Sequence, residues 1–453
     1  MAFVLLFPSN PTVKLGYVGC LAGRCGKRIE RNAQSSHEED GKGMRMLSKV
    51  LAGTAAAAAA VALTAGPALA DPPNGVTPRV TDAVGTGSNT TQYVLDQLSQ
   101  DYNNANKSAT TKLYSWDAVN PDSLAIGDNI VTKKGCATLA RPDGSSAGIT
   151  ALDENVTDPS NKKYYCIDYA RSSRARESTD PPFAAGGVAF VSLAGDAVTW
   201  ADRDTAAGGT DAPANLTTAQ LVKIYECKDT NWDQVGGKNA PIEAFLPQTS
   251  SGTRSFFLTA LGGGTTPITP GSCVQDGTTK DPNSLEENEG INPILNSPES
   301  IFIYSVAAYL SQAYHSPACI NKECTPVKSG PPCKKPTSSQ NAFGCDETGV
   351  LQLNTLNGSK PTAPWPLTAS TTTAKINQSF DLAFQRTVYD VVRYDPNTAD
   401  HIPGAESGAP GGIDLDKFFG ASGYICTNAT AKKAITNYGF LNTWKLSTCG
   451  ATS

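Results

Sequence analysis

The chain is short of the features that polyanion binding, zinc chemistry and membrane insertion require. Lys and Arg number 37 against 42 Asp and Glu, a net charge of −5, so there is no basic excess to cover the phosphates of a nucleic acid. Among 453 residues there are 3 histidines, none in His-x-x-x-His spacing, and no carboxylate cluster at metal-ligand spacing, which removes the usual metalloenzyme signatures. No motif for an organic cofactor stands out, and no cofactor is expected. The apolar stretch 50–65 falls below the about 20 residues that a membrane-spanning helix needs. No internal repeat is visible, so the chain has to be read segment by segment.

The apolar stretch belongs instead to an export signal. Met44-Arg45-Met46 and Lys49 form a basic start, 50–65 the apolar centre, and Ala68-Leu69-Ala70 the small-x-small cleavage pattern. A signal peptide is expected over 44–70, with Asp71 as the first mature residue. Residues 1–43, which carry Glu38, Glu39 and Asp40, read as a non-native upstream extension. No cysteine follows the cleavage site, so no lipid anchor is expected, and the protein is expected to be secreted or periplasmic. Residues 1–70 hold eight of the basic and four of the acidic residues, so their removal leaves 383 residues at a net charge of −9. That length fits two ordinary domains.

Ten cysteines remain: Cys136, Cys166, Cys227, Cys273, Cys319, Cys324, Cys333, Cys345, Cys426 and Cys449. An even count in an exported chain reads as disulfides. The local pairs expected are Cys136–Cys166, Cys227–Cys273 and Cys426–Cys449. The cluster from Cys319 to Cys345, beside His315, fits no standard zinc spacing, and disulfides are favoured there too.

Helical periodicity appears at Val94, Leu95, Leu98 and Tyr102, again over 216–225, and again at Phe256, Phe257, Ala260 and Leu261. Strand-like runs cover 164–169, 187–193, 301–306 and 380–392, the last also compatible with a helix. Strands alternating with helices argue for α/β lobes. The stretch 315–373, rich in Cys, Pro, Ser, Thr and Lys, reads as an irregular stapled insertion. Glu286, Glu287 and Glu289 read as a solvated acidic face.

Three segments share one design, a small hydroxyl-rich turn running into a helix pattern. They are Gly85-Thr86-Gly87-Ser88-Asn89-Thr90-Thr91, Gly144-Ser145-Ser146-Ala147-Gly148, and Ser250-Ser251-Gly252-Thr253. A helix N-terminus has unpaired N–H groups and partial positive charge. Glycine admits an anion to that backbone, and Ser and Thr hydroxyls add donors. One such turn is an ordinary cap; several converging on a point would hold an oxyanion.

With these turns and their flanks, the chain resembles the phosphate-binding proteins of bacterial ABC importers, in the type II periplasmic-binding-protein superfamily. The likeness runs through the three turns, Ile167-Asp168-Tyr169-Ala170, the crossing strand Gly186-Gly187-Val188-Ala189-Phe190-Val191, and Leu216-Thr217-Thr218-Ala219-Gln220-Leu221 followed by Asn231-Trp232. It covers about 80–310 and weakens beyond. The resemblance implies a monomer of two α/β lobes with two crossings, one lobe from 71–190 and 300–453, the other from 191–299. It implies inorganic phosphate or a similar oxyanion in the cleft, and an ABC importer permease as partner. Carried over residue by residue, Asn89 and Thr90 contribute from the first turn, Ser145 from the second, and Ser251, Gly252 and Thr253 from the third.

Two positions depart from the family. Its Arg four residues before the Ser-Gly-Thr turn is Pro247, and its proton-accepting Asp falls on Ser173. A carboxylate acceptor is what rejects fully ionised sulfate. Arg171 or Arg174 is a candidate for the lost guanidinium, pairing bidentately with ligand oxygens; the alternative is a solvated basic loop continued by Arg176 and paired with Glu177. Arg254 is a further candidate, with an outward role the alternative. Trp116 lines the cleft or fills a lobe core. Two other functions stand beside the binder. Gly144–Gly148 fits the G-x-S-x-G pattern of a secreted serine hydrolase, with Ser146 as nucleophile and His315 or His401 as base, although the lead-in Ala140-Arg141-Pro142-Asp143 is a turn rather than a strand. A transport-independent extracellular protein would retain the binding fold alone.

Overall fold

The computed structural model describes residues 71–72, 76–120, 126–154, 164–184, 186–276, 285–315, 347–367, 373–394 and 413–453. The export signal, Cys319, Cys324, Cys333, Cys345 and His401 lie outside them, as does the side chain of His315. Among the described residues, no helix is long and apolar enough to cross a membrane.

A mixed sheet of nine strands organises the chain. Its strands are β1 (Ala83–Gly87), β2 (Leu113–Ser115), β3 (Tyr169–Ser172), β4 (Val188–Arg203), β5 (Glu243–Leu246), β6 (Gln275–Asp276), β7 (Ser300–Ser305), β8 (Leu351–Leu353) and β9 (Gln385–Arg393). The order is β2-β1-β3-β9-β4-β7-β5-β6, with β8 added to β4. At one end β1 runs parallel to β2 and β3; at the other β5 runs parallel to β6 and β7. The antiparallel pair β4 and β9 joins the two.

β4 makes this possible through its length and composition. It is 16 residues long and buried along nearly all of them, and its small and apolar side chains suit a strand covered on both faces. Its first part pairs with β9; Val198 to Ala201, further along, pair with β7. The run 380–392, open between helix and strand in the sequence, is largely strand. The expected insertion 315–373 contains β8, which pairs with Ala201–Arg203 of β4. Leu351 and Leu353 are buried on alternate positions, a period-two pattern too short to stand out among the surrounding Thr and Gly. The segment that starts at residue 300 hydrogen-bonds through β7 to β5.

The helical periodicities become α1 (Gln92–Ala105), α3 (Thr218–Tyr225) and α4 (Gly252–Leu261), and the second hydroxyl-rich turn opens α2 (Ser145–Glu154). Val94, Leu95 and Leu98 of α1 are fully or nearly fully buried, as one apolar stripe against a sheet should be. α3 starts on a capping box in which the Thr217 hydroxyl accepts from Gln220 N and the Gln220 side chain accepts from Thr217 N, satisfying two otherwise unpaired groups. The three expected disulfides, Cys136–Cys166, Cys227–Cys273 and Cys426–Cys449, are all formed.

Candidate anion-binding site

The three hydroxyl-rich turns meet. The first leaves β1 at Gly87 and caps a short 3-10 helix, with Ser88 Oγ accepting from Thr90 N. The third caps α4, with Ser251 Oγ accepting from Arg254 N. The second is pressed against the third at Gly144, whose φ of +90° suits glycine and where a Cβ would lie 2.5 Å from Ser250 O. Gly252 is the closest approach. A Cβ there would lie 2.2 Å from Ser145 Oγ and 2.4 Å from Ser173 Oγ. Gly252→Ala therefore has to turn both serine hydroxyls out of place, and is expected to cost about 1–3 kcal/mol in urea unfolding; a variant as stable as the parent would show that the serines yield freely.

At the meeting point lies a carboxylate of the chain itself. Glu287 Oε2 accepts from Ser88 Oγ at 3.2 Å, Thr90 N at 3.2 Å and Thr90 Oγ1 at 2.9 Å. Its Oε1 accepts from Ser251 Oγ at 2.7 Å, Thr253 N at 2.8 Å and Ser173 Oγ at 3.3 Å. Glu287 is 3 % exposed, so the solvated acidic face read from the sequence is wrong for it and for Glu286, both of which are buried. Each of its two oxygens accepts from three donors, the hydrogen bonding that a buried charge requires.

The hydroxyls are aimed by what stands behind them. Ser145 Oγ accepts from Ser173 N at 3.0 Å and pairs with Ser173 Oγ at 3.3 Å, so its proton points to Ser173 and that of Ser173 to Glu287. Arg386 Nη2 donates to Thr253 Oγ1 at 3.0 Å, and Thr253 Oγ1 pairs with Thr90 Oγ1 at 3.2 Å. This leaves the Thr90 proton for Glu287. The site is a preset donor cradle. Asn89 stands one step outside, donating to Glu286 Oε2 at 3.2 Å. Glu286 and the neighbouring Asp143 are both pushed above the usual carboxylate range by burial, Glu286 also by its acidic neighbours.

Arg386 was not found by sequence reasoning. It sits in β9, inside a run read for its apolar residues, and forms a buried pair with Asp196 at 2.8 Å while Nη1 donates to Ser173 O at 2.8 Å. The deficit left by Pro247 was the one available signal that a distant guanidinium was needed. Arg171 and Arg174 do not donate to the Glu287 carboxylate. Arg171 is fully buried and donates to the carbonyls of Gly87, Ser88 and Trp116 and to Ser115 Oγ. It braces the first turn from beneath. Arg174 is paired with Asp180 at 2.7 Å, and Arg254 donates to Asp276 and to Pro247 O. Trp116 lies under the Arg141 guanidinium, 5.7 Å from its ring centre. Ser146 Oγ accepts from Arg174 Nε and Nη2; the group facing it is a cation, which cannot take its proton.

A sheet with parallel ends joined by two antiparallel crossings, and a donor cradle built from turns of both ends, define the class: a two-lobed α/β fold of the type II periplasmic-binding-protein kind. The family model of the PBP superfamily domain matches residues 72–400, and the chain belongs to that superfamily. Among solved structures it is similar to an ABC-type phosphate transport receptor from Vibrio cholerae, at 15% identity over 79% of this chain and 99% of that one, with a TM-score of 0.42. It is also similar to a putative phosphate ABC transporter substrate-binding protein with bound phosphate from Clostridium perfringens, at 14% identity over 80% of this chain and 98% of that one, TM-score 0.43. No curated protein matches the chain.

Proposed function

We propose that the chain is a secreted solute-binding protein for phosphate or a similar oxyanion, released after Ala70 and serving ABC-type uptake through an importer permease. The observation that carries this reading is the convergence of six O–H and N–H donors, from Ser88, Thr90, Ser173, Ser251 and Thr253, on one carboxylate. A carboxylate and a phosphate present the same face to such a cradle: oxygens that accept, around a negative charge. Arg386, through Thr253, supplies positive charge behind the donors. The two ends of the sheet act as lobes, and the cradle lies where a hinge would close them. The lobe of 71–190 carries the first two turns and Ser173, and that of 191–299 the third turn.

Ser173 bears on selectivity. Its hydroxyl both donates and accepts, so it takes a protonated or an unprotonated ligand oxygen. Phosphate and sulfate are therefore expected to bind within about tenfold of each other, since no carboxylate acceptor stands at that position to reject sulfate. Calorimetric titration of the full-length chain with phosphate, sulfate and acetate measures this. Absence of heat with all three anions, in the chain and in its Glu287→Ala and Glu287→Gln variants, would remove the reading.

A further inference from the structure

We infer that Glu287 is a tethered ligand: the chain's own carboxylate fills the anion site, and an outside oxyanion binds only when it displaces Glu287. This rests on the anion-site reading above and adds a regulation of that site. The delivery of the carboxylate is built into the fold. Asn288 adopts a φ of 61°, a left-handed conformation that Asn tolerates better than most residues. Its Nδ2 donates to Thr90 Oγ1 at 3.2 Å, its Oδ1 accepts from Ser305 N at 3.0 Å, and its carbonyl accepts from Gln312 Nε2 at 3.1 Å. The Tyr304 hydroxyl donates to the same carbonyl. On the other side of Glu287, the Leu285 carbonyl accepts from Gln248 N at 2.9 Å. The carboxylate is thus held from both directions along the chain.

Glu287 also does mechanically what a ligand does. Its donors come from both ends of the sheet, Ser88, Thr90 and Ser173 beside β1 and β3, and Ser251 and Thr253 after β5. One carboxylate thereby bridges donors from both ends of the sheet. An outside ligand then sees only the fraction of molecules in which the carboxylate has left, and its apparent affinity falls by that fraction. A carboxylate that is out about 1% of the time lowers affinity about 100-fold.

The test compares the full-length chain with its Glu287→Ala and Glu287→Gln variants in calorimetric titrations with inorganic phosphate, sulfate and acetate. Glu287→Ala is expected to bind phosphate about 100-fold or more tightly than the parent. Glu287→Gln keeps the packing but turns an amide NH2 against donors, so it is expected to gain affinity to a smaller degree, and it carries the test if the alanine variant fails to fold. Ser251→Ala added to Glu287→Ala is expected to reverse the gain, which places it in this cradle. Equal phosphate affinity in parent and folded variants would overturn the tethered ligand and leave the anion site standing. If none of the folded proteins binds any of the three anions, the anion site and the tether both fall.

Discussion

Arg386→Met is expected to destabilise the folded chain by about 3–5 kcal/mol, the cost of stranding a buried charge. Arg386 and Asp196 are 3 % and 1 % exposed, and the guanidinium is shared among Asp196, the Ser173 carbonyl and the Thr253 hydroxyl. Removing it leaves Asp196 with only Ser305 Oγ and Ala307 N, two neutral donors for a full negative charge in a dry interior. The same change releases a backbone carbonyl beside the second turn and a hydroxyl in the third, so the cradle loosens as the fold weakens. Urea unfolding measures the loss. The decisive comparison is Arg386→Met with Asp196→Asn: with both charges gone, the double variant is expected to be more stable than Arg386→Met alone. If adding Asp196→Asn lowers stability further, the two charges are not compensating each other and the account of the pair fails. Lysine at 386 is not a substitute, because a single ammonium cannot reach three acceptors held in a fork.

The parts of this site that were legible in the sequence are those written locally. A hydroxyl, a glycine and the start of a helical period lie within a few residues of one another, so Ser88 to Thr91, Ser145 and Ser251 to Thr253 announce themselves. Their convergence was inferred from order along the chain and from family resemblance, and Gly252 shows its physical form: a residue without a side chain where two serine hydroxyls approach. What escaped is written between distant residues. Glu287 is 197 residues from Thr90 and 34 from Thr253; nothing near it in sequence says that its charge is buried, and an acidic run is ordinarily a wet one. Arg386 is hidden in the same way, one of two cations in a strand read for its apolar residues, and its partner, Asp196, lies 190 residues earlier. Arg171 and Arg174 were drawn toward the ligand because a guanidinium was missing. Backbone carbonyls and Asp180 lie nearer to them and take their donors. The local disulfides were legible because each closes a short loop, whereas β8 was lost in a stretch whose composition is that of a loop.

The stability of the chain is expected to fall as pH rises from 5 to 8, and Asp390→Asn to abolish part of that fall. Asp390 lies in β9 opposite Arg171 of β3, 1 % exposed, with Oδ1 lacking a partner. Burial pushes its carboxyl up to about 8, outweighing the pull of Arg171. Asp96 and Asp117, around the same guanidinium, are also raised by burial. The sign follows from proton counting. Below the ordinary carboxylate value both folded and unfolded chains hold the proton, and the full stability is present. Between that value and about 8, the folded chain keeps a proton that the unfolded chain has released, so every rise in pH favours unfolding. For one such group the loss between pH 5 and pH 8 is on the order of 4 kcal/mol. Asparagine keeps the size and the neutral state and does not titrate, so the stability difference between Asp390→Asn and the parent is expected to widen in favour of the variant across that range. Urea unfolding of both at pH 5 and pH 8 measures the difference. Parallel pH profiles would mean that Asp390 is ionised in the fold, and that Arg171 neutralises it as well as bracing the first turn of the anion cradle.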